Sequence, residues 1–383
     1  MASNLKLYVL ARVELQLESL NASGAVGNYT KLQEGSVVIN NELIPVPVID
    51  GNALKNWHAR AMAEKYVELG GENIHDVHYK DMYRLPREVA EKDVEQSCKQ
   101  NKCSRMDSEK AIINACAICD LHGLLIAEPK TPEHLQIKRE SLVKFSFAVP
   151  IEEIVSKSLS ASRTLKYVVT HNRVTPESER MMVFKREYAS AIWGWQAVID
   201  IASIGRSQLE KDKKDKKRSM WQGVLLVENG DEIVRRAKSA ILAFENVLMG
   251  TLGASTSRAL PISRPVELIA ILVQGCVPTP LHPYYTEYKD YLAKYIALYF
   301  DKIKEVYSMN VDLENKVTEV MSRLSQEEGS NQKLSEEEIR KNVNEKIKKY
   351  GDHYKLIEDL AKSVEKKIKP DKNPEGQHLL QEI

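Results

Sequence analysis

Residues 46–61 read VPVIDGNALKNWHARA: the end of a strand, a tight turn and the first turns of a helix. Asp50 is a good N-cap, and Gly51 and Asn52 follow inside the first turn. First-turn N–H groups have no intrahelical partner, so Gly51, Asn52 and Ala53 present donors to whatever lies above them. With the helix dipole and Lys55 one turn on, this start suits a phosphate. The same residues also make an ordinary capped amphipathic helix, with Leu54, Trp57 and Met62 as its buried side.

Upstream, residues 5–18 (LKLYVLARVELQLE) place Val9, Ala11, Val13, Leu15 and Leu17 on one face, the pattern of a long half-buried strand. The Gly/Ser/Asn-rich stretch after it reads as a loop whose small residues turn the chain or let a ligand approach. Downstream, the helix runs from about 51 to 69 and stops at Gly70-Gly71. Residues 72–140 then carry many charges, histidines and four cysteines with few strand-like runs, as an insertion on a smaller core would.

Strand character returns at 142–149 (LVKFSFAV) and 181–204, and the polar stretch 170–180 reads as the tip of a long hairpin. KDKKDKKR at 211–218 is an exposed basic loop, either simply solvated or in contact with phosphate. GVLLV at 223–227 is a strand, a helix runs from about Asp231 to Gly250, and VELIAILVQ at 266–274 is a buried strand. This α+β order is the split βαβ, or ferredoxin-like, arrangement shared by RNA-recognition folds. The aromatic run that stacks bases on such sheets is missing, so any RNA would be gripped through its backbone.

From Tyr284 the chain reads as helical. Tyr284, Tyr288, Tyr291, Tyr295 and Tyr299 form a stripe at helical spacing that packs on the core or stacks bases. Ser335 to Glu338 is a capping box. The remainder is Lys/Glu-rich, an appendage or a contact surface.

A chain of 383 residues with 43% hydrophobic and 28% charged residues is expected to be globular. No apolar run approaches the roughly 18–20 residues of a membrane helix, and no signal core follows the N-terminus, so the cytoplasm is the expected compartment. The net charge of +1 leaves nucleic-acid binding to local charge.

Cys98, Cys103, Cys116 and Cys119 make C-x4-C-x12-C-x2-C, two thiolate pairs of the kind a closed tetrahedral zinc site needs. His75, His78 and His122 are nearby substitutes. Such a site is structural, holding together an insertion poor in apolar residues. No nucleophile elbow or Walker loop occurs. His171, beside Asn172 and Arg173, leaves a metal-dependent or His-based ribonuclease as the alternative to a non-catalytic role.

Five stretches together resemble one family: the first strand with NASGAVGNYT, IDGNALKNWHARAM, CAICDLHGLL, MVFKREYASAIWGW and GTLGASTSRALP. The family is the DevR-type CRISPR-associated autoregulators, the CRISPR RNA-binding backbone (RAMP) subunits of Cascade, and the likeness is greatest to the archaeal type I-A branch. It spans residues 5–285. The resemblance implies a ferredoxin-like (RRM-like) palm over 1–285, with a finger-like Cys-rich insertion (72–140) and a thumb hairpin (165–190). Residues 286–383 form a helical C-terminal extension.

It also implies copies of the chain stacked in a helical filament along one CRISPR RNA that pairs with target DNA. Its partners there are a RAMP-type end-capping subunit, small and large subunits and a helicase-nuclease. The RNA backbone would meet Ser23, Gly24, Asn28, Gly51, Asn52 and Lys55. The thumb residues His171, Arg173 and Met182 would press between bases, and Arg258 would contact phosphate or a neighbour. Related type III subunits cut RNA with an aspartate in the loop after the first strand; residues 19–33 contain no Asp, so no nuclease activity is expected.

Overall fold

A computed structural model describes residues 4–18, 22–80, 84–97, 104–126, 137–175, 178–211, 223–251, 260–327 and 335–368. In chain order the elements are β1 (Leu5–Glu18), β2 (Ala22–Val26), β3 (Tyr29–Leu32), β4 (Glu34–Ile39), β5 (Glu42–Pro47), α1 (Gly51–Glu68), α2 (Asp76–Lys80), α3 (Arg87–Ser97), α4 (Arg105–Ala115) and α5 (Ala117–His122). Then come β6 (Leu124–Ile126), β7 (Ile137–Arg139), β8 (Val143–Phe145), β9 (Val149–Pro150), α6 (Glu152–Ser160), β10 (Lys166–Thr175) and β11 (Ser178–Asp200). The rest holds β12 (Arg206–Lys211), β13 (Gly223–Leu225), α7 (Gly230–Leu242), α8 (Phe244–Met249), β14 (Ile262–Gln274), α9 (Tyr288–Leu298), β15 (Ile303–Met309), α10 (Leu313–Glu327), α11 (Glu336–Lys346), β16 (Ile347–Tyr350) and α12 (His353–Ile368).

The fold is α+β around one large mixed sheet, with strand order β16–β15–β14–β1–β11–β3–β2. β1 is central because it pairs antiparallel with β11 on one side (Leu7 opposite Ile199) and with β14 on the other (Leu7 opposite Leu272). β8 and β9 pair antiparallel with the base of β11, and β10 pairs with its outer half. The long hairpin expected from the sequence is therefore present, with its tip at 176–177 outside the described residues.

Two expectations need correction. The stretch after β1, read as a loop, contains the hairpin β2–β3, whose strand β3 joins β11 in parallel at Tyr29 and Thr30. Backbone pairing overrode a composition that favours turns. The second concerns β1 and the chain beyond 286. Leu7, Val9, Ala11, Val13 and Leu15 do share one buried face, but Tyr8 and Leu10 are buried on the other. That second face is covered by α9 and α11 together with residues from β15, while β15 and β16 extend the sheet itself. A region expected to be helical and peripheral thus supplies a second core. In the tyrosine stripe, Tyr284, Tyr288 and Tyr295 are buried and Tyr291 is exposed.

Other local readings hold. Gly250 takes the left-handed C-cap with φ 63° at the end of α8, a conformation a Cβ would strain. Ser335 and Glu338 make the reciprocal capping box of α11.

A buried ion network ties the insertion to the core. Asp120 of α5 accepts from Arg139 of β7, and its second oxygen accepts from Arg236 of α7 at 2.9 Å and from the Gly205 amide at 2.9 Å. Arg139 also meets Glu109 of α4 at 2.9 Å, and Arg236 meets Glu232 at 2.8 Å. Asp120, Arg139, Arg236, Glu109 and Glu232 are all buried. Removing one partner leaves charges without compensation, so Asp120→Ala is expected to cost about 3–5 kcal/mol. Chemical denaturation of the full chain measures it; a loss below about 1 kcal/mol would mean that the network is dispensable.

His58 of α1 is fully buried between α7 and the insertion. Its Nε2 lies 2.8 Å from the Ala240 carbonyl, which can only accept, so Nε2 carries the proton and Nδ1 accepts from His122 Nε2 at 3.1 Å. Burial pushes the pKa of His58 down to about 4, against the Ala240 bond that favours the charged form. An unfolded histidine binds a proton below about pH 6.5 that folded His58 refuses until about pH 4. Stability from this group is therefore complete above that unfolded value and is lost as pH falls through the window, by about 3 kcal/mol in all. Denaturation midpoints from pH 7 to 4 are expected to fall, and His58→Gln should flatten that fall; an unchanged slope in the variant would contradict the assignment.

Candidate nucleic-acid interface and metal cluster

The start of α1 is fixed by backbone pairing. Ile49 and Ala148 exchange hydrogen bonds of 3.0 and 2.9 Å, which sets the strand end against the β8–β9 connection. Asp50 then caps the helix, its side chain accepting the Asn52 amide at 3.0 Å. The expected donor at Asn52 is therefore already engaged by the cap. A Cβ on Gly51 would lie 2.8 Å from the Phe145 carbonyl, so glycine here serves close backbone packing instead of ligand approach.

Cationic side chains gather at this helix start. Asn52, Lys55, Arg84 and Lys138 line an open cleft of about 430 Å³ between α1 and the insertion, and no carboxylate is among its described lining residues. Burial and the neighbouring Lys144 charge lower the Lys55 pKa. Lys138 has a loose contact of 3.9 Å to Glu140. Sequence reading found Asn52 and Lys55 but not Arg84, Lys138 or Lys144, which come from the insertion and from β8. Only contact across the fold brings them to α1.

Of the other expected RNA-contacting residues, Ser23, Gly24, Asn28, His171, Arg173 and Met182 fall on the β2–β3 and β10–β11 hairpins. Ser23 and Gly24 lie on β2, and Asn28 lies in the turn before β3, its carbonyl accepting the Lys185 amide at 2.8 Å. His171 pairs opposite Phe184, and Arg173 opposite Met182, in the β10–β11 hairpin. β3 joins β11 at Lys185, so strand pairing brings the β2–β3 and β10–β11 hairpins together. His171 is exposed, with Nε2 3.2 Å from the Tyr188 hydroxyl. The side chains of Ser23, Arg173 and Met182, and all of Arg258, lie outside the described residues, as does most of the 211–218 basic run.

Of the four cysteines expected to bind metal, Cys116 and Cys119 are described. Cys98 and Cys103 lie outside the described residues. His75 and His78, named only as substitutes, join Cys116 and Cys119, with all four ligand atoms within 4.8 Å of one another. His78 Nδ1 is 3.2 Å from Cys116 Sγ, and Cys119 Sγ is 3.7 Å from His75 Nδ1. These four side chains could hold a metal ion. Burial pushes the Cys116 thiol up, but Cys119, His75 and His78 around it outweigh that and hold it low; burial beside Cys116 pushes the Cys119 thiol up. The legible signal was H-x2-H, which has the same spacing as C-x2-C. His122 belongs to the His58 pair instead.

The family described as "CRISPR-associated negative auto-regulator DevR/Csa2" matches residues 9–294. A relative from Thermoproteus tenax, named "CRISPR-associated protein Cas7/Cst2/DevR", is 32% identical over 308 residues, covering 76% of this chain and 82% of the relative. One of the same name from Methanocaldococcus jannaschii is 28% identical over 344 residues, covering 83% and 98%. The "CRISPR-associated aCascade subunit Cas7/Csa2 2" of Saccharolobus solfataricus is 23% identical over 280 residues, covering 71% and 81%. Among solved structures, a chain of a "CRISPR RNA-guided surveillance complex" aligns at a TM-score of 0.46 and 12% identity, covering 94% of this chain and 99% of that one. With a matching family that spans most of its length, this chain belongs to the CRISPR-associated DevR/Csa2 family.

Proposed function

We propose that this chain is a non-catalytic backbone subunit of a type I-A Cascade complex in the cytoplasm. It binds CRISPR RNA through its phosphate backbone, independently of sequence, and stacks with copies of itself into a helical filament. The filament leaves guide bases free to pair with target DNA in antiviral defence, beside an end-capping RAMP subunit, small and large subunits and a helicase-nuclease. Family membership supports the setting. The observation that carries RNA binding is the cleft at the start of α1, with Lys55, Arg84 and Lys138 on its walls and no carboxylate among its described lining residues.

The strand order β14–β1–β11–β8, antiparallel throughout, supports a ferredoxin-like palm within 1–285. Residues 72–140 are its finger and 165–190 its thumb, and 286–383 extend the palm's sheet. Ser23, Gly24, Asn28, Gly51, Asn52 and Lys55 face the RNA backbone in this reading. His171, Arg173 and Met182 wedge between bases, and Arg258 contacts phosphate or the next copy. Because the Asn52 amide is capped, the attraction at α1 is assigned mainly to the cations and less to free helix donors. The cofactor that accompanies this role is a structural zinc ion.

Lys55→Ala and Arg84→Ala are expected to weaken binding of every single-stranded RNA alike. Each should also reduce the magnitude of the log–log salt slope by roughly 0.7, one phosphate contact on a single strand. Titrations of labelled RNAs of unrelated sequence, from low to high salt, measure both. Unchanged affinity and slope would remove the cleft from the RNA path, and a sequence-dependent loss would contradict backbone recognition.

A further inference from the structure

We propose that His75, His78, Cys116 and Cys119 form one closed tetrahedral zinc site that seats α2 and so fixes the cleft wall carrying Arg84. The part concerning the wall rests on the RNA-binding reading above.

The geometry fits the ion. Zinc bonds of about 2.3 Å to sulfur and 2.0–2.1 Å to nitrogen put tetrahedral ligands about 3.3–3.8 Å apart, a sulfur and a nitrogen about 3.6 Å. The distances of 3.2 Å (His78 to Cys116), 3.7 Å (His75 to Cys119) and 3.9 Å (His78 to Cys119) straddle that range. His75 and His78 flank the start of α2; Cys116 is the N-cap of α5, and Cys119 lies in its first turn. The Cys119 amide donates to Cys116 Sγ at 3.4 Å, which fixes the sulfur's direction.

A carboxylate backs one of the ligands. His75 presents Nδ1 to the cluster, while its Nε2 lies 2.9 Å from Asp93 Oδ2 of α3. A carboxylate behind a ligating imidazole orients the ring and fixes its tautomer. Two thiolates and two neutral imidazoles cancel the charge of a dication, so the closed site can be buried without net charge. The sulfur–nitrogen set favours zinc over magnesium or calcium, and four protein ligands leave no open position for chemistry.

The consequence for the cleft follows from α2. Among its five residues only His78 is buried, so this helix has almost no apolar anchor of its own. His78 also lines the cleft, and the segment after α2 leads to Arg84 and Leu85, which line it too. Ile74 before α2 and Leu85 beside Arg84 pack partly buried against the core, and a metal bond at His78 would anchor α2 between them.

Elemental analysis of the purified full chain is expected to return one zinc per chain. The double variant Cys98→Ser/Cys103→Ser should keep it, and His75→Asn or Cys116→Ser should lose it. Asp93→Asn should weaken zinc binding by about 10–100-fold without changing the stoichiometry at saturation. Because the ligand variants can misfold, cobalt(II) added to the unmutated apo chain provides a second readout, a tetrahedral spectrum with charge transfer from two thiolates. A four-thiolate spectrum with zinc loss in the Cys98/Cys103 variant would overturn the ligand set, and a folded chain that binds no zinc would overturn the site.

Chelation of the full chain should weaken RNA binding about as much as Arg84→Ala does. If Arg84→Ala weakens binding and chelation does not, the support of the wall is wrong. If neither does while one zinc remains, the RNA reading fails and the wall claim falls with it, while the metal site stands.

Discussion

Asp120 holds the molecule's two parts in one register. It sits on α5, directly after Cys119, and meets two arginines, one from the insertion and one from the core helix α7. Five buried charges linked this way tolerate little movement, because each guanidinium that loses its carboxylate is left desolvated and unpaired. Apolar packing alone would let α4 and α5 slide on α1 and α7; directional ion pairs do not. The cleft and the metal cluster both stand on this junction. Asp120 immediately follows Cys119 and Arg139 follows Lys138, so the network orients both the ligands and the cations.

The helix start works differently from its sequence signature. An N-cap aspartate beside a glycine advertises free donors, but here the cap consumes one and the glycine packs against a carbonyl. In the proposed function, charge recruited from elsewhere carries the attraction for phosphate. Lys55 is partly buried and close to Lys144, and both lower its pKa. Unspent positive charge of this kind is what a polyanion binding along the cleft would neutralise.

Much of this was legible in the chain because it is local. The alternation in β1 fixed a strand of the observed length, and the break at Gly70-Gly71 and the left-handed Gly250 ended helices where expected. The hairpin of β10 and β11 followed from a polar tip between two apolar runs. What was not legible depends on distant partners. The β2–β3 hairpin has loop-like composition and is a hairpin because β11 offers an edge to pair with. Tyr8 and Leu10 read as the outer face of a half-buried strand until the C-terminal helices cover them. Of the proposed metal ligands, the cysteine pair stood out by its spacing. His75 and His78 read only as substitutes because four cysteines already complete a zinc set in the sequence. Arg84 and Lys138 carry no motif at all; only the fold brings them to Lys55.

The most direct measurement is made on freshly purified full-length protein, by combining absorbance ratio, solution size and a denaturing gel of any extracted nucleic acid. A self-assembling scaffold that reads backbone predicts large assemblies carrying protected RNA of mixed sequence. A clean monomer indifferent to added single-stranded RNA even at low salt would contradict it.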